Sequence, residues 1–191
     1  REEIADAIKN AGIVGLGGAG FPTAVKLTPK NADDIDYLII NGAECEPYLT
    51  SDYRLMLEKP EELILGIQAM LKLLPNARAL IGIEANKPEA IKTMTDLAKI
   101  DDKIDVCTLK TKYPQGGERQ LIYAVTKRRI NSKMLPADKG VVVDNVGTVY
   151  AIYEAVYKNM PLIHNILTVT GEAVNTPGNF DVPLGVSHSY L

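Results

Sequence analysis

The chain has 191 residues, long enough for one full α/β domain and part of a second, and its 46% apolar and 24% charged residues are those of an ordinary globular protein. Fibrous, disordered and membrane-spanning classes are thereby set aside, since no apolar run reaches the roughly 18 residues needed to cross a bilayer. Lys and Arg number 21 against 24 Asp and Glu, a net charge of −3 with no dense basic block, which removes nucleic acid as a leading partner. Cys45 and Cys107 lie far apart without C-x-x-C spacing. They exclude a zinc or iron–sulfur site made from this chain's cysteines alone and fit a reducing compartment. The opening Arg1, with no signal-peptide pattern after it, and the abrupt end in an apolar segment lead us to expect a piece of a longer protein.

In chain order, Ile4, Ala5, Ala7, Ile8 and Ala11 predict a short amphipathic helix ending at Gly12. A glycine-rich loop follows. Tyr37 to Ile40 reads as a buried strand ahead of Asn41-Gly42. Leu63, Ile67, Met70 and Leu74 form one helical face, with Pro60 in a first turn, and Ala77 to Ile83 is the next strand. Asn86-Lys87-Pro88-Glu89 predicts a helix start capped by the Asn86 side chain, with Ala90, Ile91, Met94, Leu97 and Ala98 on its buried face. Strand Ile104–Leu109, a helix through Leu121, Ile122 and Val125, strand Val141–Val143 and a helix through Val149, Ile152 and Val156 complete the pattern. This alternation predicts an α/β fold with a largely parallel sheet and helices on its faces. After Pro161 the chain changes to Leu167, Val169, Gly171 and a Pro/Gly/Asn-rich stretch, which predicts short antiparallel strands of a different module.

The loop Gly15-Leu16-Gly17-Gly18-Ala19-Gly20-Phe21-Pro22-Thr23 contains G-x-G-x-x-G at Gly15, Gly17 and Gly20. A dinucleotide-binding turn needs a strand directly before it, and here a helical pattern precedes; a P-loop needs a Lys-Ser/Thr pair, which is missing. What remains is a run of backbone amides unshielded by side chains, followed by the aromatic Phe21 and the cation Lys26, a combination suited to a cofactor. The bland alternative is a tight turn with Phe21 in the core. Asn41-Gly42-Ala43-Glu44-Cys45-Glu46-Pro47 follows a strand and places two carboxylates and an amide at the carboxyl end of the sheet, where open α/β folds bind ligands.

Four ordered segments, GLGGAGFPTAVKL, NGAECEPYLTSDYRLM, YPQGGERQL and VVVDNVGTVYA, carry a resemblance over about residues 10 to 160. Together they resemble the RnfC-type subunit of the Rnf ferredoxin:NAD oxidoreductase and, more distantly, the NADH-oxidising flavoprotein subunit of respiratory complex I. The resemblance implies a Rossmann-like three-layer domain over residues 1–160 that binds FMN and NADH in one cavity, then the start of a ubiquitin-like SLBB (β-grasp) module over 161–191. It implies that Gly15, Gly17, Gly18 and Gly20 lie along the flavin and that Phe21 and Lys26 meet the nicotinamide nucleotide, Lys26 pairing with a phosphate. Asn41, Glu44 and Cys45 fall in a second flavin-contacting loop, with Glu46 on the nucleotide side. Tyr113, Gly116, Gly117 and Glu118 match a loop that approaches the isoalloxazine ring, and Asp144, Asn145 and Thr148 a segment that holds the ribityl phosphate.

Hydride transfer between stacked rings needs positioning and exclusion of water, so no acid–base residue is expected and no metal site; Glu46 and Glu118 orient the nucleotide. The resemblance further implies 4Fe-4S clusters and a ferredoxin-like domain outside these residues, other subunits as partners, and a cytoplasmic protein peripheral to the membrane. Leu16, Ala43 and Gly117 stand where the complex I flavoprotein carries arginine, aspartate and glutamate. A soluble flavoprotein reductase, a non-catalytic docking scaffold and a plain NAD-binding turn are the competing readings. His164 and His188 are expected at a surface or interface, Cys45 as a small buried side chain rather than a reactive loop thiol, and Lys127-Arg128-Arg129 as a solvated helix end or a docking patch for an acidic electron carrier.

Overall fold

A computed structural model describes residues 1–190. The predicted alternation holds through residue 158. Helix α1 (Glu2–Asn10) leads to the glycine loop and the short α2 (Thr23–Leu27), then β1 (Tyr37–Gly42), α3 (Ser51–Glu58), α4 (Pro60–Leu71), β2 (Arg78–Glu84) and α5 (Pro88–Ala98). Strand β3 (Ile104–Leu109), α6 (Glu118–Thr126), β4 (Val141–Asn145) and α7 (Val146–Lys158) follow, and then β5 (His164–Val169) and β6 (Gly178–Pro183).

Strands β1 to β4 form one parallel sheet in the order β3-β2-β1-β4. The chain moves outward from β1 to β2 and β3 and then returns to place β4 on the other side, so the order reverses between β1 and β4. Ligands of open α/β sheets bind at the carboxyl ends of strands beside such a reversal. Those ends are Asn41-Gly42 and Asp144-Asn145, with Asn41 opposite Asn145.

Alternation along the strands decides which face each side chain covers. Leu38, Ile40, Ile81, Ile83 and Val142 face a large core shared with α1, α3, α4, α5 and α7. Ile39, Val141 and Val143 face a smaller core closed by Leu121 and Ile122 of α6. Burying each Leu or Ile of this kind contributes about 1.5–3 kcal/mol before conformational costs. Gly82 of β2 leaves room on the α6 side, since a Cβ there would lie 3.0 Å from the side chains of both Leu109 and Leu121. Gly66 does the same where α4 crosses α7, a Cβ falling 2.6 Å from the Val149 carbonyl oxygen.

Two α-helices escaped the sequence reading: α2, which is five residues long, and α3. The expected Asn86 cap is corrected as well. Lys87 occupies the position before Pro88, and no side chain caps the helix. Strands β5 and β6 form an antiparallel hairpin of their own, with Leu167 opposite Phe180. No helix among the described residues is long and apolar enough to cross a membrane.

Candidate functional site

The glycine loop is a closed excursion. Val14 and Pro22 form an antiparallel bridge and Gly15 N donates to Phe21 O at 2.9 Å. Gly18 (φ +135°) and Gly20 (φ +62°) adopt backbone conformations that a Cβ disfavours, and Gly17 presses on Asn145, whose Cβ would be 3.1 Å from an added methyl. Leu16 N donates to the buried Thr148 Oγ1 at 3.0 Å, which ties the loop to α7. Because α1 precedes it and α2 follows, the segment does not form the strand–turn–helix of a plain dinucleotide-binding turn.

The loops after β1 and β3 are stitched together beside it. Asn41 Nδ2 donates to Gly116 O at 2.8 Å, Asn41 Oδ1 accepts from Ala43 N at 3.1 Å, and Gly116 N reaches Cys45 Sγ at 3.4 Å. The two backbones run so close that a Cβ on Gly116 would sit 2.4 Å from Ala43 O. Glu44 turns its carboxylate back onto the start of α3, accepting from Asp52 N at 3.0 Å, Tyr53 N at 3.3 Å and Ser51 Oγ at 3.3 Å. Its carbonyl accepts from Lys87 Nζ at 3.1 Å, and the same ammonium stands 3.8 Å from Glu84, both side chains being buried. Lys87 therefore braces the site loop rather than leaving for solvent.

Behind the glycine loop, Lys26 Nζ donates to Val143 O at 2.8 Å and lies 3.4 Å from Asp144 Oδ1. Asp144 is buried, yet neither of its carboxylate oxygens has a hydrogen-bond partner. Burial pushes its carboxyl up to about 6, against the pull of Lys26, and the charge of Glu118 adds to the rise. Asn145 is fixed at both ends of its amide: Oδ1 accepts from Gly147 N at 2.8 Å, capping α7, and Nδ2 donates to Asp52 Oδ2 at 2.7 Å.

These loops enclose a cavity of about 470 Å³, within the usual range of small-ligand sites. Of the expected residues, Gly17, Gly18, Asn41 and Glu44 line it, as do Cys45, Glu46, Gly116, Gly117 and Asn145. Gly15, Gly20, Lys26, Glu118, Asp144 and Thr148 do not line it: Thr148 is buried beneath Leu16, and Lys26 and Glu118 act electrostatically on the buried Asp144. Phe21 and Tyr113 are exposed, at 48% and 66% of their surface, and Glu46 raises the Tyr113 hydroxyl above its ordinary value.

The far wall was not anticipated. It is built from Tyr150 and Glu154 of α7 and His164 of β5, with Asp52 of α3 at one corner. His164 bridges two carboxylates, Nε2 to Glu154 Oε2 at 2.9 Å and Nδ1 to Asp181 Oδ1 at 2.5 Å. Burial pulls its pKa down, but the two acids outweigh burial and set it above the ordinary value. Tyr150, partly buried against Glu154, is pushed up to about 12. Arg128 of the basic run is likewise committed, reaching Asp36 at 2.5 Å and Lys139 O at 2.6 Å while stacking on Tyr37. A short signal for Asp52 was present: a Ser-Asp pair opening an apolar segment is a helix-start pattern.

A family model described as the Nuo51 FMN-binding domain matches residues 8–154. The chain belongs to the Nuo51 FMN-binding domain family. Among curated relatives of this Nuo51-type chain, a component of the proton-translocating ferredoxin:NAD(+) oxidoreductase complex of Clostridium ljungdahlii is 47% identical over 97% of the chain and 40% of the relative. The corresponding component of the Na(+)-translocating ferredoxin:NAD(+) oxidoreductase complex of Acetobacterium woodii is 46% identical over 95% of the chain and 42% of the relative. The chain thus spans about two fifths of these relatives' length, and the RnfC-type resemblance of the four motifs is borne out. Among solved structures, the NAD+-reducing [NiFe]-hydrogenase in its H2-reduced state matches with a TM-score of 0.81 and 26% identity, over 96% of this chain and 37% of that one. This Nuo51-type α/β architecture is therefore shared with a redox enzyme at low sequence identity.

Proposed function

We propose that the protein is the NADH- and FMN-binding part of an electron-transport subunit of the ferredoxin:NAD oxidoreductase type, in which hydride passes between NAD(H) and flavin. The observation that carries this reading is the convergence of three separate segments, Gly17-Gly18, Asn41 to Glu46 and Gly116-Gly117, on one cavity at the reversal of strand order. Bound flavin mononucleotide supplies the ring that exchanges hydride with the nicotinamide.

The residues fit such a group. Gly17 and Gly18 leave backbone open on one wall, and the Asn41–Gly116 and Gly116–Cys45 hydrogen bonds hold two loops at a fixed spacing on the other. Asp144, buried with Lys26 3.4 Å away and no hydrogen bond among the described residues, suits a hydroxyl of the ribityl or ribose chain beside the phosphate. Thr148 acts by holding Leu16, and Lys26, one of whose three N–H donors is on Val143 O, can turn another to the nucleotide. Phe21, Glu46 and Tyr113 stand on the open side and receive the second ring and its carboxamide. Glu46 and Glu118 orient, and positioning with exclusion of water is the protein's contribution.

The same reading divides the chain into a binding domain over 1–160 and the start of an SLBB module over 161–191. It sends electrons on to iron–sulfur clusters and a ferredoxin-like domain outside these residues, within a complex on the cytoplasmic face of a membrane. Titration with FMN should give saturable binding, and NADH added anaerobically should then bleach the flavin's visible absorbance. A verified FMN-loaded sample that stays yellow with NADH overturns the proposal.

A further inference from the structure

We propose that Asp52 meets the flavin as a neutral carboxylic acid, so that filling the cavity with FMN draws one proton from solution onto this side chain. The inference rests on the flavin site proposed above and concerns how that site manages charge. Four carboxylates, Glu44, Glu46, Asp52 and Glu154, line the cavity, and among the described residues no lysine or arginine does. A phosphomonoester carries a charge of about −1.5 to −2 near neutral pH. Bringing it into a partly desolvated, acid-lined space costs free energy unless one wall carboxylate becomes neutral.

Only Asp52 is free to do so. Glu44 is compensated by three donors at the head of α3. Glu154 lies 2.9 Å from His164 and 3.9 Å from Lys158, and Glu46 is exposed. Asp52 touches no cation: Oδ2 accepts from Asn145 Nδ2 at 2.7 Å, and Oδ1 has no hydrogen-bond partner among the described residues. That geometry already accommodates the acid, with Oδ2 as the carbonyl oxygen and the proton on Oδ1. The groups facing it are Glu44 from the loop after β1, Lys87 at the head of α5, Asn145 at the head of α7, and Glu154 and His164 across the cavity. Burial and the charge of Glu44 push the carboxyl up to about 7, outweighing Asn145 and Lys87. At pH 8 most of the ligand-free molecules are ionised, and an incoming anion shifts the balance further toward the acid.

Calorimetric titration of the protein with FMN at pH 8, in two buffers of different ionisation enthalpy, reads the proton count directly. Roughly half a proton to one proton should be taken up per FMN bound, and riboflavin, which lacks the phosphate, should take up less than half as much. In Asp52→Asn, whose amide is neutral already, the uptake per FMN bound should be removed. On addition of FMN to the wild type, an infrared difference spectrum should show a growing carboxylic-acid C=O band that shifts in D2O, a readout independent of any variant. Equal heats in the two buffers, uptake that survives in Asp52→Asn, riboflavin matching FMN, or a missing acid band would each overturn the inference while leaving the flavin site standing. Failure of FMN to bind at all would instead overturn the proposed function, and this inference with it.

Discussion

Asp144 illustrates how one residue can be costly to the fold and useful to the site. Its carboxyl is raised from 3.8 to about 6 by burial, so the folded state binds its proton more tightly than the unfolded chain does. Stability is therefore lost as the pH rises through the interval between those two values, and above it the ionised group costs on the order of 3 kcal/mol. Asp144→Asn should accordingly raise the melting temperature at pH 8, leave it little changed at pH 4, and weaken FMN or NADH binding. A fall in melting temperature at pH 8 would show that the Lys26 contact outweighs burial. Gly116 is the converse case, harmless to the fold and intolerant of any side chain. A methyl 2.4 Å from Ala43 O must push two backbones apart, so Gly116→Ala should cost about 1–3 kcal/mol in denaturant unfolding and lower FMN affinity at least tenfold by titration.

At the level of elements, α4 and α7 cross at Gly66, and the contact is backbone against backbone. Gly66→Ala would gain helix propensity but drive a methyl to 2.6 Å from Val149 O. The net should be a loss of about 1–3 kcal/mol by chemical denaturation, with ligand binding weakened through the displaced head of α7. The parallel strands were legible because buried β runs and helical periodicity alternate cleanly, and the loops at their carboxyl ends were legible as Gly- and Glu-rich breaks. The start of α3 was marked locally only by its Ser51-Asp52 pair. It is set by the Glu44 carboxylate from the preceding loop, a contact that no local window records. The Asn86 cap failed for a related reason, since the position goes to Lys87, whose ammonium is held by Glu44 O and Glu84. Asp52, Glu154 and His164 join the site across more than a hundred residues, and composition and spacing are silent about such distances.

Across the whole molecule, the hairpin β5–β6 is fastened to the loop before α3 and to α7 by polar contacts, with Ile166 packed against the main core. Thr50 N donates to Thr168 Oγ1 at 3.2 Å and Thr50 Oγ1 to Asn179 Oδ1 at 3.1 Å, and His164 joins Glu154 to Asp181. Because the folded-state pKa of His164 is raised, this fastening is fully present below the ordinary histidine pKa and is lost as the pH rises through the folded-state value. Hydrogen exchange at β5 and β6 should therefore quicken, relative to β1 and β2, as the pH is raised from 6 to 9 after correction for intrinsic rates. His164→Ala should abolish that relative change. The cavity borrows one side from this hairpin. A polypeptide released at Met160 would hold a finished sheet and an unfinished bowl, so ligand capture should wait, during synthesis, until β5 and β6 have emerged as well.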